Sequence, residues 1–141
     1  MSPWDRVELL KALLKDLPAR AAGLWRLEGD RLIQVAFFSC DDMPEEVARR
    51  FGEATRIATL DQSSLGIVKA VVEGRTVVSI ADELPSATGS GHWLRAFGAD
   101  RSIAVPLRSA PGVVSVAVLG LSRPAEEIER ALRSLMDEAR P

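Results

Sequence analysis

Apolar positions along this chain change period several times, and each change marks an element. Between Gly74 and Ser122, three short apolar runs, Thr76–Ile80, Ser102–Leu107 and Val113–Leu121, are separated by a long polar loop and a tight turn. Short apolar runs bounded by turn residues are the signature of strands. The pattern predicts three strands, with Asp82–Gly98 as a lid between the first and the second. Upstream, Ala21–Glu28 and Arg31–Ser39 flank Gly29-Asp30 and read as a hairpin. The alternation Trp25-Arg26-Leu27-Glu28 leaves one face of its first strand partly wet.

Helical spacing occurs in four places. Over Pro3–Leu17, the residues Trp4, Val7, Leu10, Leu14 and Leu17 recur at helical intervals, Pro3 suits a first turn, and Pro18 ends the run. Leu9 and Leu13 widen its apolar arc beyond the roughly 100° that one sheet contact needs, which predicts a second contact with another copy of the chain. Pro44–Phe51 is predicted as a short helix capped by Asp41 or Asp42. Leu65–Glu73 is predicted as a helix with Leu65, Val68 and Val72 on one side, closed by Gly74 in the left-handed conformation. After Pro124, Glu126 and Glu127 occupy a first turn where the helix dipole favours acids. Ile128, Leu132, Leu135 and Met136 then form a narrow stripe. Strands arriving mainly as hairpins predict an α+β class, a mostly antiparallel sheet with helices banked on it.

Length and composition narrow the function. The chain has 141 residues, which fits one domain spanning 1–141 with a core of its own. A formal net charge of −2 without a polybasic block argues against a nucleic-acid surface. Basic pairs such as Arg49-Arg50 sit among acids, as on a solvated helix face. The single cysteine, Cys40, excludes an intrachain disulfide framework and favours a reducing, cytoplasmic home. Charged residues Asp5, Arg6, Glu8 and Lys11 interrupt any signal-peptide core, and the Val113–Leu121 run is too short to span a bilayer.

Arg75–Asp82, followed by Gly98-Ala99-Asp100-Arg101-Ser102-Ile103-Ala104-Val105-Pro106-Leu107, resembles the second half of a GAF domain. The family pattern is a glycine, an apolar strand ending in aspartate, a variable loop, then G-x-R-S-x-x-x-V-P-L and a hairpin; here Gly98, Arg101, Ser102, Val105, Pro106 and Leu107 supply its residue types in order, with the Arg-Ser pair displaced by one position to G-x-x-R-S-x-x-V-P-L. The resemblance implies an antiparallel sheet with terminal helices on one face and a lidded small-molecule pocket on the other. It also implies a sensory role and homodimerisation through the terminal helices. A PAS or profilin-like sheet is the alternative fold. Members of the family bind cyclic nucleotides, tetrapyrroles, haem or small metabolites, and some have no known ligand. Cys40 lies too early to match the bilin-attaching cysteine, and the asparagine-lysine motif of cyclic-nucleotide members is not visible. The branch that reduces free methionine sulfoxide relies on several cysteines, so the expectation here is a non-enzyme. No cofactor is named by the sequence.

Candidate chemistry concentrates in the lid and the strands beside it. Asp82 enters the lid, either as a binding carboxylate or as the acceptor of an Asx-turn. His92, the single histidine, adjoins Trp93; the pair either meets an anionic or aromatic ligand, or Trp93 merely anchors the lid. Gly89-Ser90-Gly91 lacks the third glycine of a dinucleotide loop and reads as lid flexibility. Ser90, His92 and Asp82 form no triad motif, and one cysteine with one histidine leaves a structural zinc site short of ligands. Arg101 either clamps a carboxylate or phosphate, or pairs with Asp100 or Asp82. Ser102 and Ala104 alternate with Ile103 and Val105, and Ser115 and Ala117 with Val116 and Val118. These small residues predict one roomy face, walled by Trp25 and Phe38. That room accepts a ligand of unknown identity or a closely packed helix. With a ligand the chain is a sensor; without one it is a homodimerisation module with a filled pocket.

Overall fold

The computed structural model describes residues 8, 10–12, 19–41, 44–83, 89–108, 110–119 and 124–134. Glu8 and residues 10–12 are helical. The remaining elements run β1 (Ala21–Glu28), β2 (Arg31–Ser39), α1 (Glu45–Ala54), β3 (Ile57–Thr59), α2 (Gly66–Glu73), β4 (Val77–Ile80), a 3-10 turn at Ala81–Glu83, α3 (Gly89–Phe97), β5 (Arg101–Pro106), β6 (Val113–Leu119) and α4 (Ala125–Leu132). The strands form one six-stranded sheet in the order β3-β2-β1-β6-β5-β4, and every neighbouring pair is antiparallel. The α+β expectation is met, and the three apolar runs after Gly74 are strands β4, β5 and β6.

The sheet separates two cores. On one face Leu10, Ile128 and Leu132 cover Ala22, Leu24, Ile103 and Val105. On the other, α1, α2 and α3 cover Trp25, Ala104, Val116 and Val118. Residues of β6 alternate between the two, Val113 and Ala117 toward the terminal helices and Val114, Val116 and Val118 toward α2 and α3. Pro106 is tolerated in β5 because β4 ends before it. The last β4–β5 partners are Val77 and Ala104, so no ladder bond requires an N–H from Pro106.

Several local expectations change. The lid is not a loop throughout, since Trp93, Leu94 and Phe97 fall at helical spacing and give α3 an inward face on which Leu94 and Phe97 are buried. Strand β3 is too short, at three residues, to carry a periodic signal. Pro44 is the N-cap residue of helix α1 and no side chain caps it, so Asp41 does not supply a cap; Asp42 lies outside the described residues. In α2 the buried side carries Ile67, Val68 and Ala70, leaving Val72 62% exposed rather than aligned with Val68. Gly74 does close α2, at φ +65°, where any Cβ would be strained. Leu9, Leu13, Leu135 and Met136, on which the dimer face and the end of the final stripe were argued, lie outside the described residues. None of the described helices is long and apolar enough to cross a membrane.

Candidate functional site

Trp25 forms the floor of a cleft between the sheet and α3. Its side chain is 1% exposed, and the indole N–H donates to the Thr55 carbonyl at 2.8 Å. Thr55 is held in turn, its hydroxyl donating to the Phe51 carbonyl at 2.7 Å while the Gln34 amide donates to that hydroxyl at 3.2 Å. A buried indole with its one donor satisfied is fixed in place. Gly23 makes the position possible, because a Cβ there would stand 2.4 Å from the Trp25 ring.

Phe51, projecting from α1, is the hub of the cleft. Its ring centroid lies 4.9 Å from Phe37, 5.1 Å from Phe97, 5.2 Å from Trp93 and 6.1 Å from Trp25. Three of these contacts are edge-to-face, the arrangement favoured by the ring quadrupole. Ser102, Ala104, Val116 and the first turn of α2 complete the walls. The enclosed space is small, about 40 Å³. That suits roughly two to four waters and falls far below the ~300 Å³ of a typical ligand pocket.

Two hydrogen bonds fasten α3 over the cleft. A guanidinium N–H of Arg95 donates to the carbonyl of Ala81 at 2.5 Å, joining the helix to the 3-10 turn. In the same C-terminal turn, Arg20 Nε donates to the carbonyl of Phe97 at 2.7 Å. A cation at a helix C-terminus also complements the dipole. Arg20 directly precedes β1, so this bond joins the cover of the cleft to the point where the chain enters the sheet from its N-terminal helical segment.

Of the residues singled out by sequence, Trp25, Trp93, Ser102 and Ala104 line the cleft. Phe38 and Ser115 do not. Phe38 packs in the core beneath the terminal helices, with Lys11 Nζ 5.2 Å from its ring centroid. The cause is a bulge: Leu24 pairs with Ala36 and Trp25 with Gln34, leaving Val35 as an extra residue in β2. An unbroken alternation from Leu32 would turn Phe38 to the cleft, but the extra residue flips the phase and puts Phe37 there. Ser115 pairs with Val105 and Ala117 with Ile103, whereas Ala104 pairs with Val116 and Ser102 with Val118. Each small residue thus faces a large one across the strands, and the single roomy face does not form. Ser115 Oγ is buried under the terminal helices without a hydrogen-bond partner. Arg101 is 5% exposed and by alternation shares the face of Ile103. Asp82 and His92 are exposed; His92 meets Trp93 edge-on at 4.9 Å but does not line the cleft.

The sequence reading missed Phe51, Phe97 and Leu94, whose signal was apolar spacing in the flanking helices, and Gly23, which had none. Among the described residues, no three acids, histidines or cysteines gather as a metal site. On the outer face of α1, hydrogen bonds from Arg49 and then Arg50 hold the Glu46 carboxyl below its ordinary range, but this cluster stands apart from the cleft.

No family model matches the sequence, and no curated relative does. Solved structures share the fold. The GAF domain of a two-component sensor histidine kinase from Bacillus halodurans matches at TM-score 0.69 and 11% identity, over 98% of this chain and 90% of that one. A GAF domain/HD domain protein from Geobacter sulfurreducens matches at TM-score 0.67 and 12% identity, over 93% and 84%. A type II free methionine-R-sulfoxide reductase from Thermoplasma acidophilum matches at TM-score 0.66 and 17% identity, over 96% and 86%.

Proposed function

We propose, for a chain whose fold is GAF-like, a sensory or regulatory domain that admits one small, flat, mostly apolar molecule beneath α3. The observation that carries this reading is the ring of aromatic side chains around Phe51, roofed by a half-exposed Trp93. The 40 Å³ now enclosed holds no such ligand, so entry exchanges the Trp93 indole for a ring of similar size. Ser102, on the cleft wall, supplies a polar contact for orientation. Occupancy then moves α3, and the Arg20–Phe97 bond carries that movement toward the N-terminal helical segment. A ligand shifts such an equilibrium only by its preference for the open state.

Native mass spectrometry of the purified protein, followed by a titration with indole as a generic flat probe, tests the site. Expected is a bound small molecule or saturable indole binding, abolished by Ala104→Leu, which extends a larger side chain from the sheet wall into the cleft. A clean apo mass together with no indole binding defeats the sensory reading.

The near-filled cleft favours a second reading, a non-catalytic homodimerisation module without a ligand. Leu9→Lys with Leu13→Lys is expected to turn a dimer into a monomer on sedimentation. A native chain already monomeric at micromolar concentration eliminates it. Catalysis of the kind carried out by the sulfoxide reductase neighbour is not proposed, because Cys40 is the one cysteine of the chain and has no second thiol to form a disulfide with.

A further inference from the structure

The wall of the cleft beneath α3 contains no acid and no base, and few polar groups. The Trp25 N–H and the Thr55 hydroxyl are engaged with backbone carbonyls. Ser102 is different. It is 9% exposed, its side chain belongs to the cleft wall, and among the described residues its hydroxyl has no hydrogen-bond partner. A hydroxyl withdrawn this far from water is costly unless something bonds it. The start of α2 faces the same space, since Leu65 and Ile67 line it. Leu65, an apolar residue, stands at the N-cap, and no side chain caps the helix. Ile67 is 6% exposed and is the second residue of α2, where an N–H has no carbonyl to meet inside the helix. The turn bonds around it run from the Leu65 N–H to the Gln62 carbonyl and from the Lys69 N–H to the Leu65 carbonyl, and they leave the Ile67 N–H unserved.

Unmade donors at a helix start, with the positive end of the dipole behind them, suit a negatively charged oxygen. We propose that the flat molecule admitted beneath α3 is an aromatic carboxylate, its ring among the side chains around Phe51 and its carboxylate toward Ser102 and the start of α2. This rests on the sensory reading above and names the class of ligand. The Ser102 hydroxyl and the Ile67 N–H supply donors for the two oxygens, and the α2 dipole offsets the charge that no side chain of the wall neutralises. A cationic ring would find no counter-charge in this wall, and a purely apolar ring would leave both donors bare. The enclosed 40 Å³, room for roughly two to four waters, takes a carboxylate as it stands, so only the ring has to displace Trp93.

Isothermal titration with indole and with sodium indole-3-carboxylate, at neutral pH and equal ionic strength, tests the assignment. Expected is one-site binding in which the carboxylate is about tenfold tighter or more, the factor of one hydrogen bond to a charged group. Ser102→Ala is expected to weaken the carboxylate by about tenfold and so remove most of that lead. Equal affinity for the two probes in the native chain overturns the carboxylate assignment and leaves the sensory reading standing. Binding of neither probe overturns both. An undiminished lead in Ser102→Ala takes Ser102 out of the site and overturns the proposal as well. Should that variant lose its circular dichroism spectrum, the comparison of the two probes on the native chain decides alone.

Discussion

At the scale of single residues, the cleft depends on an absent side chain. Gly23 lies beside Trp25 on the cleft side of β1, and a methyl group there overlaps the indole. Gly23→Ala is expected to cost about 1–3 kcal/mol, as overpacking does, and to shift tryptophan emission as the ring is displaced. Urea unfolding followed by fluorescence reads both, and an unchanged midpoint contradicts the packing described. Ser115 carries the opposite lesson. Its hydroxyl is buried with no partner, so folding costs its hydration without return. Ser115→Ala is expected to raise stability by about 1 kcal/mol, seen as a higher urea midpoint at unchanged slope.

At the scale of elements, α3 is the piece most easily moved. Its backbone is tied to the rest through Arg95 at one side and Arg20 at the end, and its inward face through Leu94, Phe97 and the rings around Phe51. Burial of two such side chains contributes about 3–6 kcal/mol, and a charge-assisted hydrogen bond about 1.5–3 kcal/mol. Arg20→Gln is therefore expected to speed amide hydrogen exchange in α3 by roughly tenfold or more, while exchange in β1 and β6 stays slow. Equal acceleration throughout the sheet would show that Arg20 serves global stability instead. Helix α1 has a different support, since Glu46 is clasped by Arg49 and Arg50 at its outer face. The carboxyl is lowered in the fold, so this contribution is present above the ordinary glutamate range and fades as pH falls through the lowered value.

At the scale of the whole molecule, one sheet serves two cores. Leu10, Ile128 and Leu132 are fully buried on the face away from the cleft. Truncation before Ala125 uncovers that face, where Ile103, Val105 and Ala117 lie. The truncated chain is expected to bind the dye ANS and to lose cooperative thermal unfolding. A truncated chain that still melts sharply would show that the cleft-side core suffices.

The apolar runs, turn residues and helical stripes of the sequence determined the strands after Gly74, the first hairpin, the amphipathic final helix and the α+β class. These are local properties, because side-chain period and turn chemistry are written in consecutive residues. The sequence also named Trp25, Trp93, Ser102 and Ala104, which stand where a ligand face was expected. Only the tertiary structure decided which face the others share. A single extra residue at Val35 sends Phe37 rather than Phe38 to the cleft, and the register of β5 against β6 sets Ser115 opposite Val105 instead of beside Ala104. Register and bulges depend on contacts between segments far apart in the chain, which no local pattern contains. The same is true of Phe51 at the hub and of Ser102 in one cleft with Leu65 and Ile67. Those side chains meet only after helix and sheet have packed.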